Sequence, residues 1–181
     1  MSIVLHGVAA GKGIAIGHAH LITRGAAEVP QYDIDPDKLE AEVARFDNAI
    51  KATRKELEQL RSAIPENAPT ELGAFISLHL MLLTDVTLSR EPIDILREQK
   101  INAEWALKQQ SDKLAAQFDS IDDDYLRERK QDMLQVVRRI HNNLVGQSNE
   151  INLAGNLFDD TVLIAHDLSP ADTVLFKEQH I

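Results

Sequence analysis

The sequence predicts an α+β or α/β fold, in which an antiparallel four-helix bundle is inserted into an incomplete α/β domain. Residues 39–64 carry apolar side chains four and three positions apart in alternation, which is typical of a long helix with a coiled-coil-like seam. Three further helical segments follow, and the short loops between them favour antiparallel neighbours. Strand-like segments lie on both sides of this helical part, at 13–22 and 161–165.

Composition and charge narrow the classes of function. The 181 residues include 29 acidic and 19 basic side chains, and the formal charge of −10 disfavours nonspecific binding to nucleic acid or to anionic lipid. A basic protein partner suits this charge better. The absence of cysteine excludes disulfides, thiolate metal sites and a cysteine nucleophile. No apolar run reaches the roughly 20 residues that span a bilayer, and the first residues do not resemble a signal peptide, so we expect a cytoplasmic protein without membrane insertion.

The first strand is predicted at 13–22, where one face carries small side chains and the other carries Ile and His. A turn-rich stretch then leads to Asp35, which can cap a helix that has Pro36 at its first position. The long helix begins there and is predicted to stop near Pro65 and Pro69.

The second helix is predicted to begin with the apolar run "AFISLHLMLLTD", residues 74–85, and Pro92 should end or kink it. Asn102 can cap a third helix that extends to about Phe118. A fourth helix lies within residues 119–146, where acidic residues at the start and basic residues near the end both complement the helix dipole.

A second strand is predicted at Thr161–Ala165, followed by a helix with Ser169 as N-cap and Asp172 closing a capping box. Two or three strands leave the sheet with exposed edges, so we expect this α/β domain to be truncated. The predicted domain limits are 1–30 and 147–181 for the discontinuous α/β domain, and 31–146 for the helical domain.

The second helix has more apolar surface than a bundle core requires. A projection at 100° per residue places one apolar arc around His79, with Met81 and Leu88 outside it on a flank that they share with Asp85. An apolar centre with an acidic rim is typical of a docking surface. Two ordinary alternatives remain open: Met81 and Leu88 pack under a neighbouring helix, and His79 is a hydrogen-bonded core histidine rather than a reactive one.

Several motifs do not meet their requirements. "GVAAGKG" has the wrong spacing for a phosphate-binding P-loop, and "GKGIAIG" misses the dinucleotide fingerprint by one residue. The acidic start of the fourth helix lacks the ligand spacing and central glycine of a calcium loop. A metal protein that uses His6, His18 and His20 is a remaining alternative, although His18 and His20 have no evident third ligand nearby.

Four stretches in order resemble one known family: "GVAAGKGIAIG", "LHLMLLTD", "DDDYLRERKQDM" and "LIAHDLSPADT". Together they resemble the N-terminal part of enzyme I of the bacterial phosphoenolpyruvate-dependent sugar phosphotransferase system. The resemblance covers almost the whole chain. It implies that the α/β domain is the phosphohistidine domain of that family and that the helical insertion binds the small phosphocarrier protein HPr.

The resemblance also implies how the parent enzyme works. A histidine on its α/β domain takes a phosphoryl group from phosphoenolpyruvate and passes it to HPr. That histidine lies in a "TSH"-containing segment beyond this chain, so we expect no catalytic residue here and no activity of the fragment alone. The C-terminal barrel, which binds magnesium and through which the parent forms a homodimer, is also absent, so no cofactor is expected in this fragment.

By position, the resemblance implies a set of carrier-binding residues: Glu71, Met81, Leu82, Asp85, Leu88, Phe118 and Arg129. By the same resemblance, Ser169 stands where the family has a hydroxyl that hydrogen-bonds the resting phosphoacceptor histidine and holds its orientation, and an N-cap role is equally compatible. The chain departs from the family where relatives place acids around the docking helix, so steering of a basic carrier would be weaker here. The competing hypothesis is a non-enzymatic helical adaptor that uses the same flank for another partner.

Overall fold

The computed structural model describes residues 13–22, 29–66, 68–147, 161–165, 168, 172 and 176, with the backbone only at 22 and 124–128. The chain divides into two compact units: Met1–Gly25 with Leu153–Asp167, and Ala26–Asn152 with Leu168–Ile181. Residues 168, 172 and 176 thus group with the helical unit, whereas the sequence placed all of 147–181 in the α/β domain. The other predicted limits stay predictions.

The first unit contains a two-stranded parallel sheet. Strand β1, His18–Ile22, pairs with strand β2, Thr161–Ala165, in a register that runs from His18 opposite Thr161 to Ile22 opposite Ala165. The bounds predicted for the second strand are confirmed. The first strand is shorter than predicted because its five-residue partner leaves 13–17 without a ladder, and Ile14 and Ile16 are almost fully exposed there.

The second unit is helical. A short 3-10 helix, Pro36–Lys38, leads into α1, Leu39–Ser62. The remaining helices are α2 at Thr70–Leu82, α3 at Val86–Ser89, α4 at Glu91–Gln99, α5 at Ala103–Asp119 and α6 at Asp124–Leu144. The α+β fold class is therefore confirmed.

The seam predicted on α1 forms part of the core. Phe46 and Leu57 are fully buried, and the one polar residue in the seam, Thr53, is buried too. The Thr53 hydroxyl donates to the carbonyl of Ala49 at 2.9 Å and accepts from Nδ2 of Asn143, on α6, at 3.1 Å. These bonds let a polar side chain replace an apolar one without leaving its oxygen unpaired.

The second predicted helix is broken into three. Helix α2 ends at Leu82, and the direction of the chain changes by 60° between residues 70–82 and 86–99. The expectation that Pro92 ends a helix is wrong, because Pro92 lies in the first turn of α4, where its missing N–H leaves no bond unmade. No single helix in the described part of the chain is long and apolar enough to cross a membrane; the bent pair 70–82 and 86–99 passes that test only when combined.

Asp35 does precede the first helix, but its side chain caps no backbone N–H. Its carboxylate instead accepts a hydrogen bond from Nζ of Lys38 at 2.9 Å, and this bond lowers the pKa of Asp35. Asn102 precedes α5 as predicted, but its side chain does not cap the helix. It bonds instead to the backbone of Pro30 and Tyr32, which are far away in the sequence.

Candidate docking surface

Exposed apolar side chains flank the turn between α2 and α3. Met81 is 61% exposed and Val86 is 62% exposed, with Asp85 exposed between them in the chain. We call Met81, Asp85 and Val86 the α2–α3 surface. Because large apolar side chains at this level of exposure are costly to leave in water, a cluster of them around a charge is a candidate binding site.

Asp85 is held in a fixed position. Its carboxylate caps α3 by accepting hydrogen bonds from Thr87, at 2.8 Å from the backbone N and 2.7 Å from Oγ1. The hydroxyl bond and then the backbone bond lower the pKa of Asp85. The surface therefore presents a negative charge at neutral pH, and that charge is already oriented before any partner arrives.

Leu88 does not lie on this surface. Its side chain is only 1% exposed and belongs to the core cluster. The sequence placed it beside Met81 by extending one helix through both residues, whereas the chain bends after Leu82 and restarts at α3, which turns Leu88 inward. The predicted direct contact between Leu88 and a partner is wrong for this conformation.

The other predicted partner-binding residues are spread over the helical unit. Leu82 and Phe118 are half-buried and pack against the core, and Phe118 lies near the end of α5, which packs on α3. Glu71 is exposed in the first turn of α2, about 15 Å along the helix axis from Met81. Arg129 is half-buried and its Nη1 lies 3.3 Å from Oδ2 of Asp132, within α6.

His79 lies inside the unit, two residues before Met81. Its side chain is fully buried, and its ring centroid is 4.1 Å from that of Phe75. Neither ring nitrogen has a hydrogen-bond partner among the residues that the structure describes. Burial, and then the charge of Arg139, lower the pKa of His79 to about 4, so the ring is neutral near pH 7. The expected hydrogen-bonded core histidine is thus buried but unpaired.

Two further sequence predictions concern the hydroxyl of Ser169 and a metal site that includes His6. Both residues lie outside the described residues. Within the described ranges, no group of three or more His, Asp or Glu side chains could hold a metal ion.

Sequence reasoning missed Val86 as a surface residue. The signal was present in "TDVT", because Asp is a preferred N-cap residue whose carboxylate accepts a hydrogen bond from a backbone N–H two or three residues later. Val86 is the first residue of the helix that Asp85 caps. It takes no part in the capping bonds, and its side chain is exposed. Sequence reasoning also missed the buried charges around Arg45, which no short motif marks.

The chain is similar to known proteins over nearly its whole length. Residues 6–129 match the family model described as PEP-utilising enzyme, N-terminal. A phosphoenolpyruvate-protein phosphotransferase of Cupriavidus necator is 42% identical over 184 residues, covering 98% of this chain and 31% of the relative. The protein of the same name from Bacillus subtilis is 33% identical over 181 residues, covering 98% of this chain and 30% of the relative. The chain therefore spans about a third of the length of these curated relatives.

Two solved structures have a similar fold. An NMR solution structure of an Enzyme I protein has a TM-score of 0.74 and 34% identity, covering 93% of this chain and 67% of that one. A structure described as the N-terminal domain of Enzyme 1 - Nitrogen has a TM-score of 0.65 and 25% identity, covering 90% of this chain and 65% of that one.

Proposed function

Because the chain belongs to the family of PEP-utilising enzymes, through the N-terminal region that residues 6–129 match, we propose that it is the carrier-docking part of a phosphoenolpyruvate-protein phosphotransferase. The whole enzyme would take phosphoryl from phosphoenolpyruvate onto a histidine and pass it to the phosphocarrier HPr during sugar uptake in the cytoplasm. This part would bind HPr and, without that histidine, would catalyse no transfer by itself.

The magnesium and the dimer contacts of the whole enzyme would belong to the part beyond this chain. Within the described residues no set of carboxylates or histidines fits a metal ion, so no step in this part is assigned to one.

The observation that carries the proposal is the α2–α3 surface itself. Met81 offers a flexible, polarizable side chain that adapts to a partner's apolar patch, and Val86 adds a second exposed apolar group. Asp85 supplies a fixed negative charge between them, and the net charge of −10 favours a basic partner over the whole surface. Because Met81 is 61% exposed, burial of its remaining surface against a partner would contribute roughly 1–2 kcal/mol.

The remaining predicted residues take different roles in this proposal. Leu82 and Phe118 keep part of their surface accessible and can extend the apolar contact. Arg129 and Glu71 can add charge at the edge. Leu88 does not contact the partner in this proposal. It is buried where α3 packs on the core, and so it holds α3 in place.

Calorimetric titration of this chain with HPr tests the proposal. The variant Met81→Ala should weaken binding by about 1–2 kcal/mol, which is roughly 5- to 30-fold in dissociation constant. Asp85→Asn should weaken it too and reduce its salt dependence, while Asn still caps α3. The matched control is Val145→Ala, an exposed apolar residue just past the end of α6, which should leave the affinity unchanged.

The competing hypothesis of an adaptor makes a different prediction for the same titration. If the wild-type chain does not bind HPr, or if Val145→Ala weakens binding as much as Met81→Ala does, the docking proposal is wrong. A surface that binds no HPr would then favour the adaptor.

A further inference from the structure

A partly buried cluster of charges lies near the start of α1, with its two carboxylates buried and the side chain of Arg45 34% exposed. The guanidinium of Arg45 makes five hydrogen bonds, one for each of its N–H groups. Two run in parallel to the carboxylate of Glu104 at 2.7 Å each, and two go to Glu42 at 3.0 and 2.5 Å. The fifth goes to the carbonyl of Leu144 at 2.9 Å. We call Glu42, Arg45, Asn102 and Glu104 the Arg45 cluster.

The cluster holds the segment through which the chain enters the helical unit. Glu104 accepts a hydrogen bond from Nδ2 of Asn102 at 3.0 Å. Asn102 in turn donates to the carbonyl of Pro30 at 3.0 Å and accepts from the backbone N of Tyr32 at 3.1 Å. Two backbone bonds complete the attachment, from Asn102 to Tyr32 and from Ile34 to the carbonyl of Lys100.

The same cluster holds the segment through which the chain leaves. Leu144 is the last residue of α6, and its carbonyl is one of the four that a helix end leaves without an intrahelical partner. Arg45 satisfies it. The turn that follows is closed by a bond from the backbone N of Gln147 to the carbonyl of Asn142 at 2.8 Å, with Gly146 at φ +67°.

Helix α5 connects the Arg45 cluster to the other end of the helical unit. It starts beside Asn102 and runs for 17 residues, about 25 Å, to the turn after Phe118. Helix α5 also packs on α3, which carries part of the docking surface proposed above, and no residue of the Arg45 cluster belongs to that surface.

Burial of these charges is a poor source of stability. Glu42 and Glu104 are 9% and 6% exposed, and the desolvation of such groups largely offsets their attraction to Arg45. Burial opposes ionisation of Glu104, yet the bonds from Arg45 and Asn102 lower its pKa overall. Apolar residues of similar volume would stabilise the fold about as well, whereas the directional bonds of a guanidinium fix the geometry of several partners at once.

We propose that Arg45 is a positioning residue that locks together the entering segment, Pro30–Ile34, and the exit at Leu144 within the helical unit. The lock does not depend on the function proposed above, because it is defined by bonds within the helical unit.

Amide hydrogen exchange on the full 181-residue chain tests this inference. Arg45→Met keeps most of the side-chain volume and removes all five bonds. Exchange should rise at least tenfold at Ile34 in the entering segment and at Gln147 after the exit, while the dissociation constant for HPr stays within twofold. Arg45→Lys keeps the positive charge but loses the planar guanidinium that makes the parallel bonds to Glu104. It should give a smaller rise in exchange at both positions.

The matched control is Leu57→Ala, a fully buried residue on the same helix about 18 Å from Arg45. It lowers global stability without touching the cluster. The inference is overturned if Ile34 and Gln147 respond no more in Arg45→Met than in Leu57→Ala, or if only one of them responds. Should Arg45→Met fail to fold, the same comparison with Arg45→Lys decides. If the wild type does not bind HPr, the proposed function is contradicted. The role of Arg45 is then still tested by the hydrogen-exchange comparison alone.

Discussion

The buried histidine of α2 makes the stability of the helical unit depend on pH. His79 is fully buried, and its pKa of about 4 lies below the ordinary value of 6.5 because burial and Arg139 oppose its charged form. The unfolded chain therefore binds a proton more readily than the folded one. Stability from this group is fully present above about pH 6.5 and is lost as the pH falls toward 4.

The magnitude follows from the two pKa values. Between pH 7.5 and pH 5, the proton-linkage relation gives a loss of about 2 kcal/mol from His79. The variant His79→Leu removes this loss. It also removes a buried polar ring whose two nitrogens lack partners in the described structure, and an unpaired buried polar group costs roughly 1–3 kcal/mol. We expect the variant to be more stable than the wild type by roughly 1–3 kcal/mol at pH 7.5, and the gap to widen by about 2 kcal/mol at pH 5.

Urea unfolding monitored by tryptophan fluorescence measures this gap, since Trp105, the single tryptophan, lies on α5 within the helical unit. Ile76→Val is the matched control: this residue is equally buried one turn earlier on α2, and its substitution should cost about 0.5–1.5 kcal/mol at both pH values. The reasoning is refuted if the gap between His79→Leu and the wild type is the same at pH 7.5 and pH 5, or if the variant is less stable than the wild type at both.

Two further predictions concern the core. Leu88→Ala should lower the free energy of unfolding by about 2–5 kcal/mol in the same urea assay, because Leu88 is a core residue, and a loss below about 0.5 kcal/mol would contradict its burial. Thr53→Val should cost about 1–2 kcal/mol, since it removes the bonds of the hydroxyl to Ala49 and Asn143; a variant as stable as the wild type would show that these bonds contribute nothing.

The sequence was sufficient where the signal is local or periodic. The seam of α1 repeats over about seven turns, so its register survives the polar residue Thr53, and the predicted positions are buried or half-buried in the structure. The short apolar run at Thr161–Ala165 is bounded by polar residues, and the strand begins and ends as predicted. The α+β class follows from these two patterns together.

The sequence misled where two local signals compete. The apolar spacing of α2 continues numerically past Asp85, and this favoured one long helix that carried Leu88 outward. The capping bonds of Asp85 and the placement of Pro92 in a first turn favour a new start instead, and they determine the observed bend. Proline is compatible with either end of a helix, so its position alone could not decide.

The sequence was silent on contacts that join distant segments. Arg45 meets Glu104 and Leu144 across 59 and 99 positions, and no periodic pattern marks such pairs. The unpaired state of His79 is equally invisible, because it depends on which groups α6 brings to the ring. The packing also separates the exposed residues Met81 and Asp85 from the buried Leu88, a distinction that the helical projection did not make.

The most direct test of the central claim uses the methionine methyl groups of this chain in an NMR titration with HPr. Met81 is 61% exposed at the proposed docking surface, whereas Met133 is 2% exposed inside the same helical unit and serves as an internal control. We predict that the methyl signal of Met81 shifts in a saturable manner while that of Met133 stays in place. A Met81 signal that does not move at saturating HPr, or one that moves no more than that of Met133, would contradict the account.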